Sequence, residues 1–161
     1  MKIKTVRQNA RATHRRVSLV LAAVFAAGTL RAALSVSNTS SLAFGGIIPG
    51  SSSGQVTISP AGGRTVAGGC YGGNDAGSAA SSFTVTGPAS AAYSVILPSS
   101  ETIFDGSKSM TLSAFTTDAT GSAALDAAGH GGFHVGAALQ VGAHQPTGHY
   151  SGTFVVIVSA N

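Results

Sequence analysis

Beyond residue 30 the chain carries no stretch of apolar residues at helical spacing. It breaks instead into short β-prone runs separated by turn chemistry, a pattern that confines it to an all-β architecture. The runs are residues 30–36, 41–44, 55–59, 64–67, 82–86, 93–97, 101–104, 109–115, 133–141 and 150–159. Between them lie Ile-Ile-Pro-Gly-Ser, Ser-Pro-Ala-Gly-Gly, Gly-Gly-Asn-Asp, Thr-Gly-Pro, Phe-Asp-Gly-Ser and Ala-Ala-Gly-His-Gly-Gly. Each supplies residues that tolerate positive φ or lacks an amide donor, as turns require. About nine short strands at this spacing predict a β-sandwich. Composition agrees by exclusion. At 43% hydrophobic and 9% charged the chain is too apolar for disorder, and it lacks the periodic Gly and Pro of collagen. It is also short of the Glu, Lys and Leu that a helical bundle uses.

Alternation within the runs assigns faces. Phe83 and Val85 share one side of their strand, with Thr84 and Thr86 on the other. Met110, Leu112 and Ala114 alternate with Thr111 and Ser113 in the same way. The last run differs. Phe154-Val155-Val156-Ile157-Val158 is apolar on both faces, which predicts a central strand or one whose outer face is covered by something else.

The formal net charge of +4 suggests a nucleic-acid or membrane partner until the charges are located. Lys2, Lys4, Arg7, Arg11, Arg15 and Arg16 crowd the first 16 residues, and an apolar run of 14 residues, 17–30, follows. That run is too short for a comfortable membrane helix, which needs about 20 residues. A basic segment before a short apolar one is the pattern of a helical secretory signal peptide, against the alternative of a short uncleaved anchor. Ala26 and Gly28 supply the small residues of a cleavage site, so residues 1–28 are read as the leader and 29–161 as one domain. The Arg15-Arg16 pair is a weak match to a twin-arginine signal, so general secretion is favoured. The remaining chain has three basic residues (Arg31, Arg64, Lys108) against five acidic ones (Asp75, Glu101, Asp105, Asp118, Asp126). Such a domain has no electrostatic footprint for nucleic acid, and no stable membrane span is expected after cleavage. Cys70, the only cysteine, reads as a small packed or loop thiol, or as half of an intermolecular disulfide.

Catalytic signatures such as G-x-S-x-G, H-E-x-x-H or a phosphate-binding Gly-Lys-Ser/Thr loop are not found. His130, His134, His144 and His149 have H-x3-H and H-x4-H spacings, which would align ligands on a helix. Gly131-Gly132 and Pro146-Thr147-Gly148 argue against a helix there. No enzyme activity, cofactor, catalytic residue or metal ligand is therefore expected. The first run places Leu30, Ala32, Leu34 and Val36 on one face. It reads as an ordinary first strand, or as one that leaves its domain to pair with another subunit by β-strand addition.

Leu42-Ala43-Phe44-Gly45-Gly46-Ile47-Ile48-Pro49-Gly50 resembles the "LxFGxIxPG" opening of a bacterial exported family, domain-of-unknown-function family 4402. The likeness continues in order through Val56–Val66, Ser82–Gly87, Tyr93–Pro98, Leu125–Gly129, Val135–Ala143 and Gln145–Phe154, covering roughly residues 34–161. The resemblance implies an immunoglobulin-like, pilin-like sandwich akin to spore-coat-protein-U-like and fimbrial subunits of adhesive pili. It implies passage through the periplasm to the cell surface, with a periplasmic chaperone, an outer-membrane usher and identical or related subunits as partners. Subunits of that kind lack one strand, and a neighbour's N-terminal extension fills the gap. On that reading Leu30, Ala32, Leu34 and Val36 are the candidate donor strand, and Phe154, Val156 and Val158 belong to the strand walling the groove. Two departures stand out. The family usually has several more residues before the segment matching Leu34, and its C-terminal Tyr-Asn is here Ala160-Asn161. The expected function is an exported structural subunit of a surface fibre, joined by donor-strand complementation. The alternative is a secreted or periplasmic binding module whose loops contact a glycan or a host protein.

Overall fold

The computed structural model describes residues 33–74 and 76–161; residues 1–32, which include the expected leader 1–28 and Leu30, Arg31 and Ala32, lie outside the described residues, as does Asp75. Ten strands and no helix are found among the described residues: β1 (Ser35–Ser40), β2 (Ile47–Ile58), β3 (Arg64–Gly72), β4 (Ser81–Thr86) and β5 (Ala92–Ile96), then β6 (Ser100–Asp105), β7 (Lys108–Thr117), β8 (Ala123–Ala124), β9 (His130–Val141) and β10 (Ile157–Ala160). Every pairing is antiparallel. The strands form a seven-stranded sheet and a three-stranded sheet of order β10-β5-β8. The all-β expectation holds, in two sheets.

The large sheet is organised around β9. Val135 pairs with both Ser81 of β4 and Thr117 of β7, while Ala138 pairs with both Thr57 of β2 and Ser113 of β7. A strand has only two edges, so β4 and β2 follow one another along the edge opposite β7. The handover falls at Gly136, where a Cβ would run into the Ile58 carbonyl oxygen. Glycine is required there by close backbone approach. Beyond this centre, β1 pairs with β4, β3 with β2 and β6 with β7.

Several strands differ from their sequence expectation for identifiable reasons. β2 begins at Ile47 rather than near residue 55, because β3 supplies a ladder that the weak β-propensity of Gly and Ser does not advertise. The 41–44 run makes only a single bridge, from Ala43 to Ala79. Within β7 the register shifts between Ser113 and Thr116, with Ala114 at φ 47°. This bulge reverses the alternation, so Ala114 is exposed and Phe115 turns inward instead. The C-terminal run is the largest correction. Only Ile157–Ala160 is a strand, and it sits at a sheet edge, not centrally. Val155 remains 68% exposed and Ile157 54% exposed, so none of the described residues covers that face.

The core falls into two clusters with different coverage. One gathers Val85, Phe133 and Val135 from the large sheet with Tyr93, Val95 and Val158 from the small one. Phe83 stacks on Phe133 with ring centroids 5.0 Å apart, and Phe154 meets Phe83 edge-on at 6.4 Å and Phe115 at 5.2 Å. Here two sheets pack face to face. The other cluster contains Val56, Cys70, Ile103, Leu112, Leu139 and Val141, all from the large sheet. No residue of the small sheet belongs to it; Phe44 and Tyr150, from segments outside the strands, supply part of its cover. Among the described residues, this half of the large sheet is therefore covered by segments outside the strands and not by the small sheet.

Candidate strand-accepting groove

Over that half lies an apolar groove of about 910 Å³. Its floor is made by Ile103 of β6, Met110 and Leu112 of β7, and Leu139 and Val141 of β9. The floor follows from the sequence. Leu139 and Val141 are two residues apart on β9, and Leu112 pairs with Leu139, so their side chains share one face of the sheet. Two stretches flank it, one from residues 41–46 into the start of β2 and one, outside regular ladders, within residues 145–154.

Both flanks are tied down. On the first, the Ala43 amide donates to the Ala79 carbonyl at 2.9 Å, and the Gly46 amide to the Asn74 carbonyl at 2.6 Å. Arg64 Nη2 adds a bond to the Gly46 carbonyl at 2.6 Å. On the second, Gln145 Nε2 donates to the Ser109 carbonyl at 3.0 Å and to the Tyr150 hydroxyl at 2.9 Å. Tyr150 in turn donates to the Pro146 carbonyl at 2.7 Å, and Lys108 Nζ donates to the Thr147 carbonyl at 3.0 Å. The Ser151 amide and carbonyl then exchange bonds with Phe104 on β6, both at 2.9 Å.

From there the chain changes character. Residues 152–156 make no main-chain hydrogen bond among the described residues, yet their side chains alternate as in a strand. Phe154, Val156 and Val158 turn inward and are half-buried, while Val155 and Ile157 face out. This stretch runs directly into β10, which pairs with β5 on one edge only. Residues 152–160 thus form one strand-like stretch with an unpaired edge, beginning at the groove. Unpaired backbone of this kind is a template for another strand. Ile96, 55% exposed and opposite Ile157, extends the apolar surface beside it.

The predicted groove-wall residues Phe154, Val156 and Val158 lie together in this stretch, and Phe154 lines the groove itself. The candidate donor residues are distributed differently. Leu34 is half-buried in the chain's own core, and a Cβ on Gly87 would come within 2.6 Å of its Cδ2. Val36 sits in β1 opposite Val85. Leu30 and Ala32 lie outside the described residues. Sequence reading missed the contributions of Ile103, Met110 and Leu139 to the groove. Their alternation marks them as core, but no local signal marks which part of the core lies beneath a groove.

Elsewhere the polar groups are structural. His134 Nδ1 lies 2.7 Å from Asp118 Oδ2, and the His134 amide donates to Asp118 Oδ1 at 2.7 Å. Partial burial works to raise the Asp118 carboxyl, but the hydrogen bonds from His134 and the ring's charge outweigh it and hold the carboxyl below its ordinary value. Asp126 is likewise lowered, chiefly by the His130 amide, and closes the turn leading into β9. Burial raises the Tyr93 phenol, with Asp118 adding to it. His144 and His149 are exposed on the loop after β9. No group of three His, Cys, Asp or Glu side chains that could hold a metal is found among the described residues. Cys70 is a buried thiol in the core cluster of Val56, Leu112 and Leu139.

The architecture is that of a two-sheet, all-antiparallel domain whose smaller sheet faces only part of the larger one among the described residues. Residues 34–160 match the family described as Domain of unknown function (DUF4402), and the chain belongs to that family. No curated protein and no solved structure matches it.

Proposed function

We propose that this chain is an exported structural subunit of a surface fibre or fimbria-like assembly, with an incomplete immunoglobulin-like sandwich that a strand from another polypeptide completes. One observation carries the reading. A groove with an apolar floor, over the half of the large sheet that the small sheet does not face, lies beside a strand-patterned segment, residues 152–156, whose main chain has no partner among the described residues. A strand laid along residues 152–160 would satisfy that backbone and extend the three-stranded sheet, with its first residues beside the groove. Each apolar side chain it buries is worth about 1.5–3 kcal/mol before ordering costs.

The basic and apolar N-terminal 30 residues support export. Until the groove is filled it is an aggregation hazard, which gives a periplasmic chaperone a physical task and an outer-membrane usher a place in assembly. The test is a synthetic peptide of alternating Val and Thr added to the purified exported chain. Binding should slow amide exchange at residues 152–156 and raise Tm, and Leu112→Asp should abolish both effects. Because Leu112 is buried, Met110→Asp at the half-buried floor position serves as the variant expected to remain folded. A peptide that leaves exchange and Tm unchanged contradicts the reading.

A further inference from the structure

Val56, Cys70, Ile103, Leu112 and Leu139 all belong to one core cluster, so their neighbours in the chain face the other side of the large sheet. The register draws a row across five strands on that outer face. Gln55 of β2 is opposite Ala67 of β3 and Gln140 of β9, Gln140 is opposite Thr111 of β7, and Thr111 is opposite Thr102 of β6. The next row is of the same kind, with Thr57 opposite Thr65 and Ser113 opposite Ser100. An aromatic ring, more than half exposed, stands at each edge: Tyr71 on β3, with Ile48 opposite it, and Phe104 on β6. Four strand spacings separate those edges, roughly 19 Å.

The Lys, Arg, Asp and Glu residues of these five strands are Arg64, Glu101, Asp105 and Lys108. Each stands an even number of residues from an inward side chain (Val66, Ile103 or Met110) and so falls on the groove side. On the outer face Ser53, Gln55, Ala67 and Gln140 line a shallow hollow of about 260 Å³, with Gly54 and Gly68. Gln55 Oε1 accepts from Thr57 and Gln140 Nε2 donates to Ser113, both at a long 3.4 Å, so the two amides keep donor and acceptor capacity for a ligand. An anionic ligand would need guanidinium or ammonium groups that these rows lack. A protein partner would need a contiguous apolar patch, which the Thr, Ser and Gln side chains interrupt. Amides that can bridge neighbouring hydroxyls, set between two aromatic faces, suit a neutral chain of sugar rings.

We propose that the outer face of β3, β2, β9, β7 and β6 binds a neutral polysaccharide, laid across the strands from Tyr71 to Phe104 with a sugar ring in the hollow over Gln55 and Gln140. The site lies on the opposite side of the sheet from the groove and does not depend on strand exchange.

The test is depletion of the purified full chain from solution by particulate cellulose, chitin and starch, the probes for a neutral glycan. At least one should bind it, equally in low salt and in about 1 M salt. Tyr71→Ala and Gln140→Ala should each weaken that binding about tenfold with Tm unchanged, because both side chains are exposed. Phe104→Tyr should retain it. Met110→Asp, on the groove side, should leave it unaltered, which separates this site from the strand-accepting one. No depletion by any of the three solids, binding that falls with salt, or binding indifferent to Tyr71→Ala would overturn the proposal. So would a dimer in sedimentation that Tyr71→Ala dissociates, since the face would then belong to a second copy of the chain.

Discussion

Gly136 is the residue on which the large sheet turns, because two neighbouring strands change places beside it. Gly136→Val would force a side chain against the Ile58 main chain and should cost about 3 kcal/mol, read as a fall in the urea midpoint. Core positions should divide by coverage. Phe133, 1% exposed between two sheets, should cost roughly 3–5 kcal/mol on substitution by Ala. Met110, on the open floor, should cost about 1 kcal/mol in the isolated chain but sharply weaken strand binding. The acid side of the stability profile belongs to Asp118 and Asp126. A carboxyl held below its ordinary value stabilises the fold above that value, and the contribution is lost as pH falls through the lowered one. Asp118→Asn should therefore lower Tm at neutral pH and flatten its decline below about pH 4, measured by thermal melts across pH.

At the scale of elements, alternation was a reliable guide wherever a strand had one covered face. Phe83 and Val85 turn inward and Thr84 and Thr86 are exposed, as their spacing predicts. It failed at Ala114 because a bulge adds a residue without any sequence mark stronger than the small side chain itself. It failed again at residues 154–158, for a different reason. Period and hydropathy say that both faces of a strand are apolar, but not whether the chain itself provides both neighbours. Here it provides one. The exposed side of that stretch is expected to govern solubility more than stability. Ile157→Thr keeps a β-branched side chain and should shift unfolding free energy by no more than about 0.5 kcal/mol. It should also slow aggregation of the isolated chain, followed by light scattering.

For the molecule as a whole, the all-β class could be read from residue spacing and turn chemistry. The groove could not. It arises from long-range pairings: β9 ordering β4, β2 and β7 about itself, and the small sheet stopping at β10. The same pairings account for the two cores, one enclosed by both sheets and one lined by the large sheet alone. The central claim is that residues 152–156 are an unfilled place in a sheet, and amide hydrogen exchange reads this directly. In the isolated exported chain these amides should exchange at near-unprotected rates while those of β9 are strongly protected. Adding the alternating Val and Thr peptide should bring residues 152–156 toward the β9 level. Strong protection at those residues before any strand is added would contradict the account.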